Sequence, residues 1–250
     1  MNKGIVNSRP FIIVVVSIFA ALDAVIRIFP ATYAIGLYKF FSLGWVFSPI
    51  MGALIGPFAG FSAAVLGSFI RASIAPYKWT FGLFTPFLPA ISVLQAGLLT
   101  RRKYSFLFSL AAFSILLFLI LTWLYFPTGR IVWPVVLYYL AGLAFIPLVC
   151  ICLNLSSKWL VIALVLTAYI SNITQHALGN ILSVTILNLQ PEIFWAALPL
   201  TLVEQTAFAL ASGIIAFPVL IALHKANLLH YLHSGVLEKQ LNVHGMKKAE

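Results

Sequence analysis

The sequence has few charged residues, and very few of these are acidic. Asp, Glu, Lys and Arg together make up 8% of its 250 residues, and only 5 residues are Asp or Glu. Soluble domains carry about 25% charged residues, so this composition excludes an ordinary soluble fold. The net charge of +10 comes from Lys and Arg that gather near the ends of apolar segments, a pattern typical of membrane topology. We therefore expect no nucleic-acid partner.

Cysteines and catalytic signatures are also scarce. Cys150 and Cys152 are the two cysteines, and their spacing on a helix points them to different faces, which argues against a disulfide or a metal pair. The sequence has no Walker loop, no His-Glu-x-x-His and no Gly-x-Ser-x-Gly. The chain therefore cannot hydrolyse ATP itself, and we expect no enzymatic activity, no cofactor and no metal.

Apolar residues dominate instead. They form 62% of the chain and give it a mean hydropathy of +1.07. A membrane-spanning helix needs about 20 apolar residues, and about eight such helices fit into this length. We therefore predict an all-α fold, a polytopic membrane helix bundle over residues 1–225, with a cytoplasmic tail at 226–250. The predicted helices are 11–29, 42–56, 57–74, 83–100, 104–125, 131–153, 158–187 and 193–224.

Positive charge predicts the orientation of this bundle. Eight spans place most Lys and Arg residues on one side of the membrane, and the positive-inside rule makes that side cytoplasmic. The residues on that side are Lys3, Arg9, Arg101, Arg102, Lys103, Lys158, Lys225, Lys239, Lys247 and Lys248. We expect a multi-pass protein of the plasma membrane with both termini in the cytoplasm.

The seventh predicted helix carries a polar stripe. Asn172, Gln175, His176, Gly179 and Ser183 repeat with helical spacing and share one face. Polar groups inside a membrane face either protein or a water-filled cavity. Hydrogen bonding between packed helices would suit one or two such residues, whereas five on one face favour a cavity.

Polar residues of other helices fall at a similar depth. Glu204 and Gln205 lie about ten residues into the eighth predicted helix, near the midplane. Asp23 and Arg27 are four residues apart and predict an internal ion pair in the first helix, and Arg71 ends the third. Because the inner half of the bundle holds almost no such residue, we predict a cavity that opens outward and is closed toward the cytoplasm.

Aromatic and apolar segments complete this picture. Trp79 and Trp195 lie near the outer surface, either as interfacial belt residues or as walls of the site. The fifth and sixth predicted helices, 104–153, contain no charged residue within their spans. We expect these two helices to face lipid and to contribute nothing to the site.

Several stretches resemble the substrate-binding S components of energy-coupling factor (ECF) transporters. They are SIFAALDAVIRI, FSLGWVFSPIMGALIGPFAGFSAAVLGSFIRASIAPYKWTFGLFTPFLPAISVLQAGLLTRR, KWLVIALVLTAYISNITQHALGNILS and FWAALPLTLVEQTAFALASGIIAFPVLIAL. The first contains the Ala-x-x-x-Ala pattern of that family, at Ala20 and Ala24. Residues 104–153 and the tail lie outside the resemblance, which implies a six-helix S-component-like core with a two-helix insertion.

The resemblance implies that the chain captures a vitamin or similar small molecule from outside. Separate partners would power import, namely a membrane coupling subunit, contacted through Ala20 and Ala24, and two ABC-type ATPases. The implied substrate-binding residues are Asn172, Gln175, His176, Asn180, Glu204 and Gln205, with Trp79 and Trp195 as stacking walls. Arg71 could serve a carboxylate or phosphate group of the substrate. The chain lacks the N-terminal Met-His-x-His of the nickel and cobalt branch, which disfavours a metal as cargo.

Two other functions stay open at this stage. A membrane scaffold or assembly protein would bind no ligand, and its polar stripe would join helices. An intramembrane enzyme acting on a lipid or polyprenyl substrate would use Glu204 and His176 as acid and base. The scarcity of acidic residues for binding phosphate or metal argues against the enzyme.

Overall fold

The computed structural model describes residues 9–34, 39–76, 79–101, 105–155 and 157–226. Over these ranges the chain forms long helices and one two-stranded β-hairpin. The elements in chain order are α1 (Arg9–Ile26), β1 (Pro30–Ala34), β2 (Lys39–Ser42), α2 (Gly44–Ile55), α3 (Pro57–Ile74), α4 (Phe87–Leu99), α5 (Ser105–Tyr125), α6 (Pro127–Ile131), α7 (Pro134–Asn154), α8 (Leu160–Leu187) and α9 (Pro191–Lys225).

The prediction of an all-α membrane bundle is confirmed in outline. Each predicted helix has a counterpart, and the largest difference is the start of α4, predicted at residue 83 and found at Phe87. Six of the helices in the described ranges are long and apolar enough to cross a membrane, whereas α1 and α2 are shorter apolar helices. The predicted tail lies outside the described residues, apart from Ala226.

The β-hairpin is an element that the sequence pattern did not reveal. Its strands have only five and four residues and pair antiparallel from Pro30 with Ser42 to Ala34 with Lys39. The intervening sequence, IGLY, lacks the Asn-Gly or Asp-Gly pair that signals a tight hairpin turn. A hairpin of this length is marginal by itself, so it depends on the helices around it.

Side-chain contacts fix the directions of the helices. Ser92 of α4 meets Ser171 of α8, and Gly179 of α8 faces Leu88 of α4, so these two helices are antiparallel. In contrast, Gly67 of α3 packs on the backbone of Ala20, and Arg71, one turn later, lies near Arg27, so α3 runs parallel to α1. We call the end of the bundle at which α1, α3, α5 and α8 finish the hairpin end, since the β-hairpin follows α1 there.

Helix α2 lies at the centre of the bundle. It packs against α1, α3, α4, α8 and α9, and nearly all of its residues are buried. Twelve residues of helix extend only about 18 Å, against about 30 Å for the hydrocarbon core of a bilayer. The short central helix therefore leaves space at the hairpin end that other parts of the chain must fill.

The β-hairpin occupies part of that space. Thr32 of β1 lies beside the Glu204 side chain, and Glu204 is thirteen residues into α9, or about 20 Å along its axis. The hairpin thus enters the bundle. Non-helical backbone at membrane depth is tolerated where protein surrounds it or where it lines a water-filled cavity.

Glycines allow the closest helix contacts. Gly52 of α2 lies against the carbonyl of Val93 and the methyl group of Ala96 in α4. Gly56, with φ of 84°, turns the chain from α2 into α3, a conformation that only glycine adopts without strain. Gly97 packs on the backbone of Pro57 just beyond this turn. These contacts hold the cluster of α2, α3 and α4 together by close backbone approach.

The Gly52→Ala substitution is expected to destabilise the protein. Its Cβ would collide with the Val93 backbone, and such overpacking costs about 1–3 kcal/mol, more than the gain of about 1 kcal/mol in helix propensity. The measurement is the melting temperature of the purified protein in mild detergent. Gly179→Ala is the matched control, because its Cβ would meet only the Leu88 side chain, at 3.5 Å. Equal melting temperatures for the two variants would contradict the α2–α4 contact.

Candidate functional site

Four buried polar side chains lie on the paired helices α8 and α9. We call Asn172, Gln175, Glu204 and Gln205 the α8–α9 cluster. Each of them is at most 5% exposed. Buried polar atoms in all four have no hydrogen-bond partner among the described residues: both amide atoms of Asn172 and of Gln205, Oε1 of Gln175 and Oε1 of Glu204.

The packing of α8 on α9 sets the members of the cluster at one level. Gly213 of α9 faces Val165 of α8, and the two helices are antiparallel because only residues 188–190 connect them. Both counts run from the Val165–Gly213 contact toward that turn. Asn172 is seven residues from Val165 along α8, and Gln205 is eight residues from Gly213 along α9. A rise of about 1.5 Å per residue therefore places Asn172 level with Gln205.

The same spacing aligns the other two members. Gln175 is ten residues beyond Val165, and Glu204 is nine beyond Gly213. Two amides on α8 thus lie level with an amide and a carboxyl group on α9.

This arrangement is costly without a partner. A buried polar atom that makes no hydrogen bond costs about 1–3 kcal/mol, and the lipid around the bundle supplies no substitute. Unpaired groups of this kind call for something that completes their hydrogen bonds, such as a ligand or ordered water. Helix packing alone does not explain them, because interhelical polar contacts stabilise only when the bonds are made.

Glu204 also lies where the neighbour of α9 changes from α2 to the β-hairpin. Along one face of α9, Ser212 donates a hydrogen bond to the Val46 carbonyl at 2.8 Å, and the ring of Phe208 stacks on Trp45 at 6.1 Å. Glu204 is one turn further toward the hairpin end. There its neighbour is Thr32, whose hydroxyl faces the Glu204 carboxyl group.

A second polar group joins α7 to α8, and its hydrogen bonds are made. Asn180 Nδ2 donates to the Tyr139 hydroxyl at 2.9 Å, and that hydroxyl lies 2.9 Å from His176 Nδ1. The hydroxyl accepts from Asn180 and shares one hydrogen bond with Nδ1, in which the imidazole tautomer decides which group donates. We call Tyr139, His176 and Asn180 the tyrosine network.

The tyrosine network corrects one expectation from the sequence. Residues 104–153 were expected to face lipid and to build no site, but Tyr139 of α7 is completely buried against α8. Close packing explains this, since Gly142 of α7 lies against the Ile173 side chain. An apolar span can still carry a polar group at the tip of a tyrosine, and the adjacent pair Tyr138 and Tyr139 was the available signal.

The predicted ion pair of the first helix is present and buried. Arg27 Nε lies 2.8 Å from both oxygens of Asp23, and Arg27 also donates through Nη2 to Ser48 of α2. Asp23 and Arg27 are 0% and 3% exposed. Arg71 of α3 is close enough to feel the charges of both.

The structure places three further groups of predicted residues. Trp195 is 42% exposed, which fits the interfacial alternative and not the wall of a buried site. Trp79 packs on Phe69, with ring centroids 5.6 Å apart, as an aromatic at the end of α3. Ala20 and Ala24 are almost fully buried within this chain, on the face of α1 that packs on α3, so they offer no surface to a coupling subunit.

The structure adds polar contacts that sequence spacing did not single out. Ser171 of α8 donates to the Ser92 carbonyl at 2.6 Å, and the two hydroxyls are 2.7 Å apart. Gln95 Nε2 donates to the Ala112 carbonyl of α5 at 2.9 Å. These contacts tie α4 to α8 and α5. Within the described ranges no three His, Cys, Asp or Glu side chains come together as metal ligands.

The Tyr139→Phe substitution is expected to lower the stability of the protein. Loss of the hydroxyl leaves His176 Nδ1 and Asn180 Nδ2 without their shared partner, at a cost of about 1–2 kcal/mol. Thermal unfolding in detergent measures the change. Tyr138→Phe serves as the control, because the Tyr138 hydroxyl makes no hydrogen bond to another described residue. A loss of stability in the control that equals the loss in Tyr139→Phe would refute the role of the network.

Comparisons with known proteins give one similarity. The chain is 26% identical to an uncharacterized protein of Methanocaldococcus jannaschii over 167 residues, which cover 63% of this chain and 53% of that protein. The chain thus spans about half the length of this relative. No family model matches the chain, and no solved structure matches it.

Proposed function

We propose that the chain is the membrane-embedded substrate-capture subunit of an ECF-type transporter, which imports a vitamin-like small molecule. The observation that supports this most directly is the α8–α9 cluster, in which each side chain has a buried polar atom without a hydrogen-bond partner among the described residues. A small polar molecule would complete these hydrogen bonds. Because each amide offers both a donor and an acceptor, the cluster suits a polar heterocycle with both kinds of group on its edge.

The position of the cluster fits capture from one side of the membrane. In this proposal α1–α5 and α7–α9 provide eight spans, both termini are cytoplasmic, and the hairpin end faces outward. The substrate would enter past the β-hairpin, because Thr32 lies beside Glu204. Because α2 has only twelve residues, it leaves space at the hairpin end of the bundle, and the substrate could occupy that space.

Import would need partners that hold and hydrolyse ATP. These are a membrane coupling subunit and two ABC-type ATPases. Because Ala20 and Ala24 are buried, the coupling subunit would contact other residues of this chain. The side chains of α1 that are exposed to a neighbour in the membrane include Ile18, Leu22 and Val25.

A membrane scaffold is the second candidate, and the bonded polar contacts favour it. The tyrosine network and the Ser92–Ser171 pair join helices without any ligand. If the α8–α9 cluster had the same role, its groups would also be bonded to each other. The contrast between bonded and unbonded polar groups on one helix therefore provides a direct test.

Asn172→Leu and Asn180→Leu are expected to have opposite effects on the ligand-free protein. Leucine at 172 removes two unpaired amide atoms and should leave the melting temperature unchanged or raise it. Leucine at 180 breaks a hydrogen bond to Tyr139 and should lower stability by about 1–2 kcal/mol. Differential scanning fluorimetry in detergent reports both. If Asn172→Leu destabilises as much as Asn180→Leu, the scaffold interpretation is favoured and the capture site is not.

A ligand screen tests the capture site itself. The purified protein is heated with B vitamins, their precursors, nucleobases and aromatic amino acids, and a ligand at one hundred times its Kd should stabilise by about 2.7 kcal/mol. Asn172→Leu and Glu204→Gln should abolish the shift. Glu192→Gln, an exposed carboxylate on the same helix, should retain it. Absence of any shift in the wild type, with no co-purified small molecule by mass spectrometry, would contradict the proposal.

A further inference from the structure

The hairpin end of α1 and α3 holds more positive than negative charge. Arg27 and Arg71 contribute two cations, and Asp23 contributes the one carboxylate that acts on Arg71. That carboxylate is already engaged, because both of its oxygens accept from Arg27 Nε at 2.8 Å. Arg71 forms no salt bridge with a described residue.

The guanidinium of Arg71 has one buried donor that no described residue accepts. Its Nε is buried and makes no hydrogen bond within the described ranges. Ser68, three residues earlier on α3, is 1% exposed, and no described residue bonds its hydroxyl. Residues three apart on a helix are neighbours, so α3 presents a guanidinium and a hydroxyl side by side. The side chain of Arg71 is only partly buried, and this leaves a route to it.

The surroundings repel a further cation and favour an anion. Arg27 lies against Gly44, where α2 begins, and the first turn of a helix carries a partial positive charge. Arginine presents a planar fork of donors that matches a carboxylate or a phosphate. An uncompensated charge at membrane depth is expensive unless a counter-charge accompanies it.

We propose that Arg71 and Ser68, supported by Arg27, form a binding site for an anionic carboxylate or phosphate group. The site neutralises the excess charge of the Asp23–Arg27–Arg71 group. Its residues lie on α1 and α3, whereas those of the α8–α9 cluster lie on α8 and α9. The charge imbalance exists whatever the chain transports, so this inference does not depend on the proposed function. The anion belongs either to a water-soluble ligand or to a phospholipid headgroup.

Inorganic phosphate and acetate are the first probes. The full chain is purified in an uncharged detergent, and its thermal unfolding is followed as each anion replaces chloride at constant ionic strength. The wild type should be stabilised, and Arg71→Gln should weaken the apparent affinity about tenfold or more, as expected for a lost charged hydrogen bond. Arg130→Gln should behave as the wild type, because Arg130 is exposed and donates to the Leu124 and Tyr125 carbonyls.

Two further measurements complete the test. Ser68→Ala keeps the charge and should weaken phosphate binding by about three- to tenfold, so the proposal stays testable if Arg71→Gln fails to fold. Native mass spectrometry identifies the source: a phospholipid retained by the wild type and lost from Arg71→Gln indicates a headgroup, whereas a lipid-free wild type that responds to the soluble anions indicates a soluble ligand. A wild type that neither responds to the anions nor retains lipid overturns the proposal, as does an unchanged response in Arg71→Gln.

Discussion

The interior of a bilayer offers no water, and this constraint governs every polar group in the bundle. Backbone groups are satisfied within the helices, so only side chains and the β-hairpin pose a difficulty. The chain meets it by surrounding the short helix α2 with other helices and by placing the hairpin beside α9, where Thr32 adjoins Glu204. Close contacts at Gly52 and Gly97 allow this enclosure, because no side chain separates the backbones there.

Polar side chains on α8 fall into two groups, those with hydrogen-bond partners on neighbouring helices and those with unpartnered buried atoms. Toward α7 and α4 they are bonded, through Tyr139 with His176 and Asn180 and through Ser92 with Ser171. In Asn172 and Gln175 of the α8–α9 cluster, buried amide atoms have no partner among the residues that the structure describes. Bonded contacts between helices need no ligand to explain them, whereas unpaired amides do. This difference, on one helix and at one depth, is the physical basis for preferring capture of a small molecule over a purely structural role.

The charged side chains also differ in whether they have a partner. The Asp23–Arg27 pair is enclosed by helix packing and completed by Ser48, so it connects α1 to α2. Arg71 lies next to this pair but receives no carboxylate of its own among the described residues. An arginine kept there with a buried unpaired donor has a chemical consequence, since it attracts an anion to the hairpin end of the bundle.

The sequence by itself determined the helices, because membrane spans are set by long apolar runs and by breaks at proline and glycine. It also placed the Asp23–Arg27 pair and the stripe from Asn172 to Ser183, since helical periodicity assigns residues to faces. Only the tertiary structure decided which face meets which neighbour. It buried Ala20 and Ala24 inside the chain, exposed Trp195, and brought Tyr139 to His176, 37 residues away, through the packing of α7 on α8. Periodicity is a property of one helix, whereas partners depend on how helices pack, and that information is not local.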